Sequence, residues 1–548
     1  MRLAIVVLLG AQLWGSELRS FRRQSNVFAL ELSDGSGEVE WISASCFRYA
    51  RFWGPPKVRL KPIKQEAIKV TAEDSKSRLR FSTRHLSVEV EKSGLKFSVQ
   101  TSDGPVMVDA TEIRRDSDGI VIEREAPVKE RYYGLGPRAT ASVDLRGQQI
   151  RAAKPFMISS LGYGEYHAAP GTYVYDLAQS RPDRRRITIE GGDRVEVFFY
   201  YGPTPKEILE EHAGVAGSIQ SPGSNEFGIL AANGVPRAAT ILSAPGEGSW
   251  ATLEESIRSL AHLSMSAMLL PAFDLSPYQS GDGALLERAA QLGSVAPIVF
   301  ASKAGLSRLR KGPVYQKTAE MRERLTPFLL AYAQEAREQG LPFIRPLAMT
   351  FPNDQQGVQQ IDEFMLGDEL LIAPVCAPNG QKTVYLPRGI WTDLRTNQVY
   401  KGRQSIEVRA AVDELPMFAR NGAILPLASL EAGGPLALHY FPRLAAEFFL
   451  LEEDIGEWSQ VHASPAVDFL RLEIDSMAAH TFEWVVHHTG PCGKVAAVEG
   501  PDYVLVKSPG ELKPGTWFYD QARNNLHIRT SVAAKHNQIV NVYLCQGF

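Results

Sequence analysis

From about residue 28 to 215, apolar and polar positions alternate with period two. Leu86, Val88 and Val90 lead into a turn at Ser93-Gly94, after which Leu95, Phe97 and Val99 resume the alternation. Successive side chains of a strand point to opposite faces, so this stretch reads as a hairpin with one apolar face. Ile187 and Ile189, a turn at Gly191-Gly192-Asp193, then Val195, Val197 and Phe199 read as a second hairpin. Many short strands with glycine-bearing turns and no long helical period predict an antiparallel β-sandwich.

Near Pro203 the pattern changes. Thr204-Pro205-Lys206-Glu207 is a helix start, Ile208-Leu209 begins a short helix that ends at Gly214 or Gly217, and residues 218–224 have the composition of a linker. Beyond it, the apolar runs Phe227 to Ala232, Ala238 to Ser243, Ala267 to Phe273 and Pro297 to Ala301 alternate with helices. One helix opens near Ser249 and sets Leu253, Ile257, Leu260 and Leu263 on one face. Another, ending at Gly340, carries Met321, Leu325, Phe328, Leu329 and Tyr332, with Pro327 expected to strain or kink it. Strand followed by helix, repeated, predicts parallel α/β structure. After Phe351 strands return, in Leu370 to Val375, Val384 to Leu386 and around the turn Asn421-Gly422-Ala423-Ile424. They predict a second, smaller sandwich to about residue 430 and a third β domain to the end.

Composition narrows the function classes. A chain of 548 residues holds three to five domains at roughly 100–200 residues each. Lys plus Arg number 59 against 62 Asp plus Glu, a net charge of -3, so there is no basic field to gather phosphate backbones and nucleic acid is not an expected partner. Met1-Arg2, the apolar run Leu3 to Leu9 and the small residues Gly15 and Ser16 read as a secretory signal peptide. A buried N-terminal strand or a short membrane anchor is the competing reading, although the run is shorter than the ~20 residues a spanning helix needs. A secreted or periplasmic protein with no membrane partner is the expectation. Cys46, Cys376, Cys492 and Cys545 form no C-x-x-C pair, so zinc is unsupported. In an exported protein Cys492 and Cys545 could pair, and free thiols are the default. His487-His488 would point to opposite faces of a strand and read as solvated surface.

Several stretches in order carry a family resemblance. They are Tyr133-Gly134-Leu135-Gly136, Asp144-Leu145-Arg146-Gly147, Pro155-Phe156, Gly162-Tyr163-Gly164 and Tyr201 to Leu209. Later come Leu341-Pro342, Arg345-Pro346-Leu347, Phe351-Pro352-Asn353-Asp354, Asp362-Glu363-Phe364, Leu366-Gly367-Asp368, Ala373-Pro374-Val375, Tyr385-Leu386-Pro387, Trp391, Leu415-Pro416 and Arg420 to Ile424. Together they resemble glycoside hydrolase family 31, the α-glucosidase and α-xylosidase family. Most of these glycines, prolines and aromatics are the material of turns and sandwich cores; they mark the lineage and not the chemistry.

The resemblance implies a multi-domain β plus α/β chain. Its expected parts are a signal peptide over 1–16, a galactose-mutarotase-like N-terminal β-sandwich over 17–217, a (β/α) barrel segment over 218–350, a proximal C-terminal β-sandwich over 351–430 and a distal β domain over 431–548. It also implies a retaining mechanism, with a nucleophilic carboxylate and an acid/base carboxylate about 5 Å apart at the C-terminal ends of barrel strands. A whole (β/α)8 barrel takes about 250 residues, and only Ser218 to Thr350 separates the two sandwich regions. The segment resembles strands five to eight of a truncated barrel, and the stretch holding the nucleophilic Asp has no counterpart.

Position by position, Ala232 stands where the fifth-strand motif implies a sugar-contacting Arg. Gly246-Glu247, before Trp250, stands where Gly-Asp supplies the acid/base. Asp274 keeps the sugar-binding Asp of Pro271-Ala272-Phe273-Asp274-Leu275, and Phe300 and Ser302 replace the Arg and His after the eighth strand. Glu247 is therefore the acid/base candidate or a solvated loop carboxylate. Asp274 is a sugar ligand or a helix N-cap, and Trp250 joins it as a substrate-binding candidate. From Ser218 to Gln316 the carboxylates are Glu226, Glu247, Glu254, Glu255, Asp274, Asp282 and Glu287, and only Glu247 and Asp274 stand at strand ends.

No cofactor or metal is expected. An α-linked glucoside or oligosaccharide is the expected ligand. The open readings are a glycosidase with a rebuilt site, a non-catalytic pseudoenzyme binding carbohydrate or protein, and a deletion relic. Half a barrel leaves open strand edges and an apolar inner face, so either two chains pair as a homodimer or a sandwich domain covers that face.

Overall fold

The computed structural model describes residues 15–55, 60, 63, 67–117, 119–216, 229–231, 240–242, 247–279, 282–301, 307, 310–312 and 315–544, with backbone only at 229–231 and 240–242. Two compact units divide the chain. The first comprises Met1–Gly136 and Asp144–Val215, the second Pro137–Val143 and Ala216–Phe548.

The first unit is built from antiparallel sheets. An eight-stranded sheet runs from Leu18–Gln24 through Cys46–Trp53, Arg194–Tyr201 and Tyr163–His167 to Tyr132–Gly134. A five-stranded sheet centres on Arg184–Glu190, and a further meander runs from Thr71–Asp74 to Gly104–Val108. The hairpin expected around Ser93-Gly94 forms, with Ser87–Glu91 antiparallel to Phe97–Thr101. The second expected hairpin does not. Arg184–Glu190 lies in the five-stranded sheet and Arg194–Tyr201 in the eight-stranded one, so the Gly191-Gly192-Asp193 turn carries the chain across the sandwich. Ile187, Ile189, Val195, Val197 and Phe199 all join one core. Two facing strands from opposite layers show the same alternation as two paired strands, which is why the pattern misleads here.

Charge is buried inside this core. Arg124 and Arg185, at most 4% exposed, are held by Asp109 and Glu165, which are equally buried. Glu130 accepts hydrogen bonds from Tyr132, Ser159 and Tyr163 at 2.6–2.8 Å. Helix Pro205–Ala216 closes the unit, and the Glu207 carboxylate accepts from both the backbone N–H and hydroxyl of Thr204 at 2.8 Å.

In the second unit the four expected runs form Ile229–Ala231, Thr240–Leu242, Pro271–Asp274 and Ile298–Ala301, all parallel. Their order is not sequential. Ile229–Ala231 pairs with Ile298–Ala301, the last of the four, and Thr240–Leu242 lies at the opposite edge beside Pro271–Asp274. Helix Trp250–Met265 starts from a Ser249/Thr252 capping box and buries Leu253, Ile257, Leu260 and Leu263. In helix Gly283–Val295, Asp282 caps the start by accepting from Ala284 N–H. Helix Tyr315–Gln339 runs with Pro327 inside it, so Pro327 does not end the helix. Pro327 lacks the N–H that would bond back one turn, and burial of Leu325, Phe328 and Leu329 offsets that lost bond. Arg322 of the same helix donates to the carbonyls of Gly293, Ser294, Ala296 and Pro297 and so satisfies the open end of the preceding helix.

Two further β regions complete this unit. Ile344–Pro346, Phe364–Leu366, Leu370–Ile372, Met417–Arg420, Ile390–Asp393 and Val399–Lys401 form one sheet beside the pair Gln381–Leu386 and Gln404–Arg409. The remaining strands make a six-stranded sheet and a five-stranded one. Phe273 and Val299 of the parallel sheet, the helices, and Phe343, Phe448 and Trp484 of the β regions belong to one hydrophobic cluster. The described apolar side chains Phe273 and Val299 of the parallel sheet are therefore covered within this unit.

Among the described residues Cys376 is a free thiol; Cys545, the candidate partner of Cys492, lies outside them. No helix of the described residues is long and apolar enough to cross a membrane. His487 corrects the expectation of a solvated pair: it is 7% exposed, stacks on Phe441 at 4.2 Å and shares a 3.0 Å hydrogen bond with His439. The strand His480–His487 is covered on both faces at its end, which alternation alone does not reveal.

Candidate functional site

The C-terminal ends of parallel strands are where an α/β sheet presents functional groups, because loops rather than helix bodies follow them. Two such ends are neighbours here, since Leu242 pairs with Phe273 one residue before Asp274. Asp274 in turn lies opposite Phe300 in the next strand, and Leu275 N–H donates to Phe300 carbonyl at 2.8 Å.

Asp274 is 6% exposed, and its Oδ1 accepts the Ser276 N–H at 2.8 Å. That bond shapes the tight turn Ser276–Tyr278. Asp274 is not the N-cap of this turn, which Leu275 occupies without a side-chain cap bond; the Asp274 carboxylate acts one residue earlier. Tyr278 then folds back, stacking on Phe273 at 6.0 Å with its hydroxyl 3.1 Å from that of Ser256. The loop before helix Trp250–Met265 touches the same turn, because Gly248 N–H donates to Pro277 carbonyl at 2.6 Å. A Cβ at Gly248 would sit 2.5 Å from the Tyr278 ring, so only glycine allows the approach. Glu247 is thereby held next to the Asp274 loop, with its own side chain exposed. Trp250 is the first residue of the helix and packs, partly buried, against the core.

The structure brings Glu247, Trp250 and Asp274 to one side of the sheet. Of the three positions read as lost sugar contacts, Phe300 is partly buried on its strand, and Ala232 and Ser302 lie outside the described residues, as does Glu226. Glu254 pairs with Arg258 within its helix, and Glu287 is buried on helix Gly283–Val295. Among the described residues no three His, Cys, Asp or Glu side chains converge to hold a metal ion.

The strongest electrostatic work in this unit lies elsewhere, on residues the sequence marks only as lineage motifs. Arg345 is fully buried and bridges Glu335 and Asp368, the latter at 3.0 Å. Burial works against its charge, but those two carboxylates hold it protonated above its ordinary range. Beside it Tyr332 donates to Glu369, whose carboxyl burial pushes up to about 7. Glu363 is 1% exposed and is pushed up to about 8 by burial, while accepting Tyr385 N–H at 3.1 Å. Asp354 accepts the Tyr385 hydroxyl at 2.8 Å, and Trp391 Nε1–H donates to Pro387 carbonyl at 2.8 Å. Arg345, Asp354, Glu363, Asp368 and Trp391 all stand in the motifs quoted above, and each is engaged in architecture. The spacing of a motif shows that a residue matters; a partner ten or more positions away, as Glu335 is to Arg345, shows why.

Comparisons with known proteins agree with this frame. The profile of the glycosyl hydrolase family 31 C-terminal domain matches residues 340–425. An α-glucosidase from Bacillus thermoamyloliquefaciens is 28% identical over 323 residues, 56% of this chain and 38% of that protein. An α-glucosidase from Saccharolobus solfataricus is 28% identical over 37% of this chain and 32% of its own length. The chain thus spans less than two fifths of either of these relatives. Among solved structures, a Flavobacterium johnsoniae family 31 dextranase superposes with a TM-score of 0.83 at 14% identity, covering 97% of this chain and 100% of that one. A cycloalternan-forming enzyme from Listeria monocytogenes gives 0.80 at 15% identity, over 97% of this chain and 77% of that one. At such identities the structural likeness concerns the fold. The ordered motifs, the profile matched over residues 340–425 and the relatives together support glycoside hydrolase family 31 as the family this chain resembles.

Proposed function

We propose that this chain is an exported family 31 protein that binds α-linked glucosides and has lost most or all of the hydrolytic rate. The ligand class rests on the family and on relatives named as α-glucosidases. The observation that carries the impaired reading is the strand end itself: one oxygen of the Asp274 carboxylate accepts the Ser276 N–H, and Glu247 stands exposed. Glu247 is one methylene longer than the Asp expected there, and Phe300 stands where a polar sugar contact is expected. The stretch that holds the family's nucleophilic Asp has no counterpart in the segment's sequence.

Hydrolysis of an aryl α-glucoside and of maltose, measured beside Glu247→Gln and Asp274→Asn, tests this. The expected result is no rate above that of either variant, together with stabilisation by maltose of about 2.7 kcal/mol at a hundred times its dissociation constant. A rate that falls tenfold or more in either variant overturns the impaired reading. Absence of both hydrolysis and stabilisation overturns the carbohydrate reading. Pairing of two chains along the sheet edges Ile229–Ala231 and Thr240–Leu242 belongs to the same proposal, and a sedimentation measurement giving a monomer removes it.

A further inference from the structure

The second unit contains a cleft of about 870 Å³, within the range of small-molecule sites. It is lined by His439, His487, His488 and His527 and by Arg324 and Arg523. Its donors and acceptors do not balance. The acidic groups around it already accept: Asp520 Oδ1 takes the N–H groups of Ala522 and Arg523 at 3.0 and 3.2 Å, Glu320 takes the Gln316 amide at 2.9 Å, and Glu483 binds His527 and Arg529. The donors are not used up. Among the described residues neither the Arg324 nor the Arg523 guanidinium has an ion-pair or hydrogen-bond partner, and His488 Nε2 is buried without one. A guanidinium offers five N–H groups and no acceptor.

His439 and His487 do not add charge of their own. Burial first, then the neighbouring Arg324, pushes His439 down to about 3, and burial with the surrounding imidazoles and Arg523 holds His487 well below its ordinary range. With His439 and His487 joined by a 3.0 Å bond, Arg324 and Arg523 are cations of the cleft without a carboxylate partner among the described residues, while Asp520 and Glu320 in the same lining accept from neutral N–H groups. A neutral sugar brings hydroxyl donors as well as acceptors and no charge, and so leaves both guanidinium charges uncompensated. An acceptor-only group of negative charge fits it, and the planar fork of arginine matches the oxygens of a carboxylate or phosphate.

We propose that this cleft binds a small molecule through a carboxylate or phosphate group held by Arg324 and Arg523, at a site separate from the strand ends. This oxyanion chemistry could come from a free anion or from a sugar carrying an acidic group. Calorimetric titration of the full chain at low ionic strength with inorganic phosphate, glucose 6-phosphate, glucuronate and glucose distinguishes them. One acidic probe or more binds with one site per chain, glucose does not, and Arg324→Gln and Arg523→Gln each weaken binding about tenfold, the size expected for a charge-assisted bond. Both arginines are exposed, so the core does not depend on them. Arg19→Gln, in the other unit, leaves binding unchanged. Equal affinity for phosphate and glucose 6-phosphate identifies a free anion; tighter binding of either acidic sugar identifies the sugar. No binding of any acidic probe at 10 mM, equal binding of glucose, or unchanged affinity in both arginine variants overturns the proposal. These readouts do not involve hydrolysis or maltose, so they stand apart from the test of the strand-end site.

Discussion

Between Leu341 and Ile424 the second unit uses its polar side chains on itself, whereas at the ends of its parallel strands it uses few. Arg345 is buried between Glu335 and Asp368, Glu363 accepts a backbone N–H, and Asp354 and Trp391 each fix one neighbour. At the strand ends Asp274 holds a single turn and Glu247 faces solvent. Both stretches carry family motifs. The difference teaches that in this chain the frame is the better furnished part, and that a motif residue with many buried partners reports on folding before it reports on catalysis.

The largest way to break that contrast is Arg345→Met. It removes the cation that Glu335 and Asp368 share, and because those side chains are 24% and 42% exposed and can be rehydrated, the cost is about 2–3 kcal/mol. Urea unfolding should show this, while Glu247→Gln should stay within about 0.5 kcal/mol of the parent. A small effect of Arg345→Met would mean that the network is looser than its burial implies.

The pH dependence of stability comes next. Glu363 and Glu369 have carboxyls raised to about 8 and about 7 in the folded chain. A raised carboxyl holds its proton in the folded state after the unfolded chain has released it. The stability this contributes is fully present below about pH 4.5 and is lost as pH rises through about 7 to 8, by an amount on the order of 1–3 kcal/mol. Melting temperature should therefore fall between pH 5 and 9, and Glu363→Gln should flatten the upper part of that fall. An unchanged slope in the variant would separate Glu363 from the effect.

Gly367→Ala probes the same frame by packing. Gly367 has φ +56°, and a Cβ there would sit 2.1 Å from the Tyr332 ring. Overpacking of this kind destabilises by about 1–3 kcal/mol, read as a shift in denaturation midpoint. The smallest effect is expected from Asp274→Asn. Its amide oxygen can still accept the Ser276 N–H, so only the charge assistance is lost, about 1 kcal/mol. A loss of several kcal/mol would make the strand end as structural as the Arg345 network and erase the contrast.

Much of the fold was legible before the coordinates. The Ser93-Gly94 hairpin, the helix starting at Ser249, the four parallel runs and the strand-end place of Asp274 all follow from period, turn residues and caps. The crossing at Gly191-Gly192-Asp193 was not, because strands facing each other across a core repeat the pattern of strands paired in one sheet. For the candidate site, the sequence brought Glu247 and Asp274 to neighbouring strands but could not show that Asp274 bonds Ser276, since a strand-end Asp serves a turn and a ligand equally well.

The sequence by itself determined which faces are apolar, where helices begin and which family the chain resembles, since these depend on neighbours within about a turn or on ordered short motifs. Tertiary structure alone decided that Ile229–Ala231 lies beside Ile298–Ala301, that His487 is covered by Phe441 and His439, and that Arg345 is neutralised by Glu335. Periodicity specifies that a face must be buried and leaves open what buries it. Many partners would remove the same apolar area from water, and only the packed chain selects the one whose buried polar groups also find their bonds.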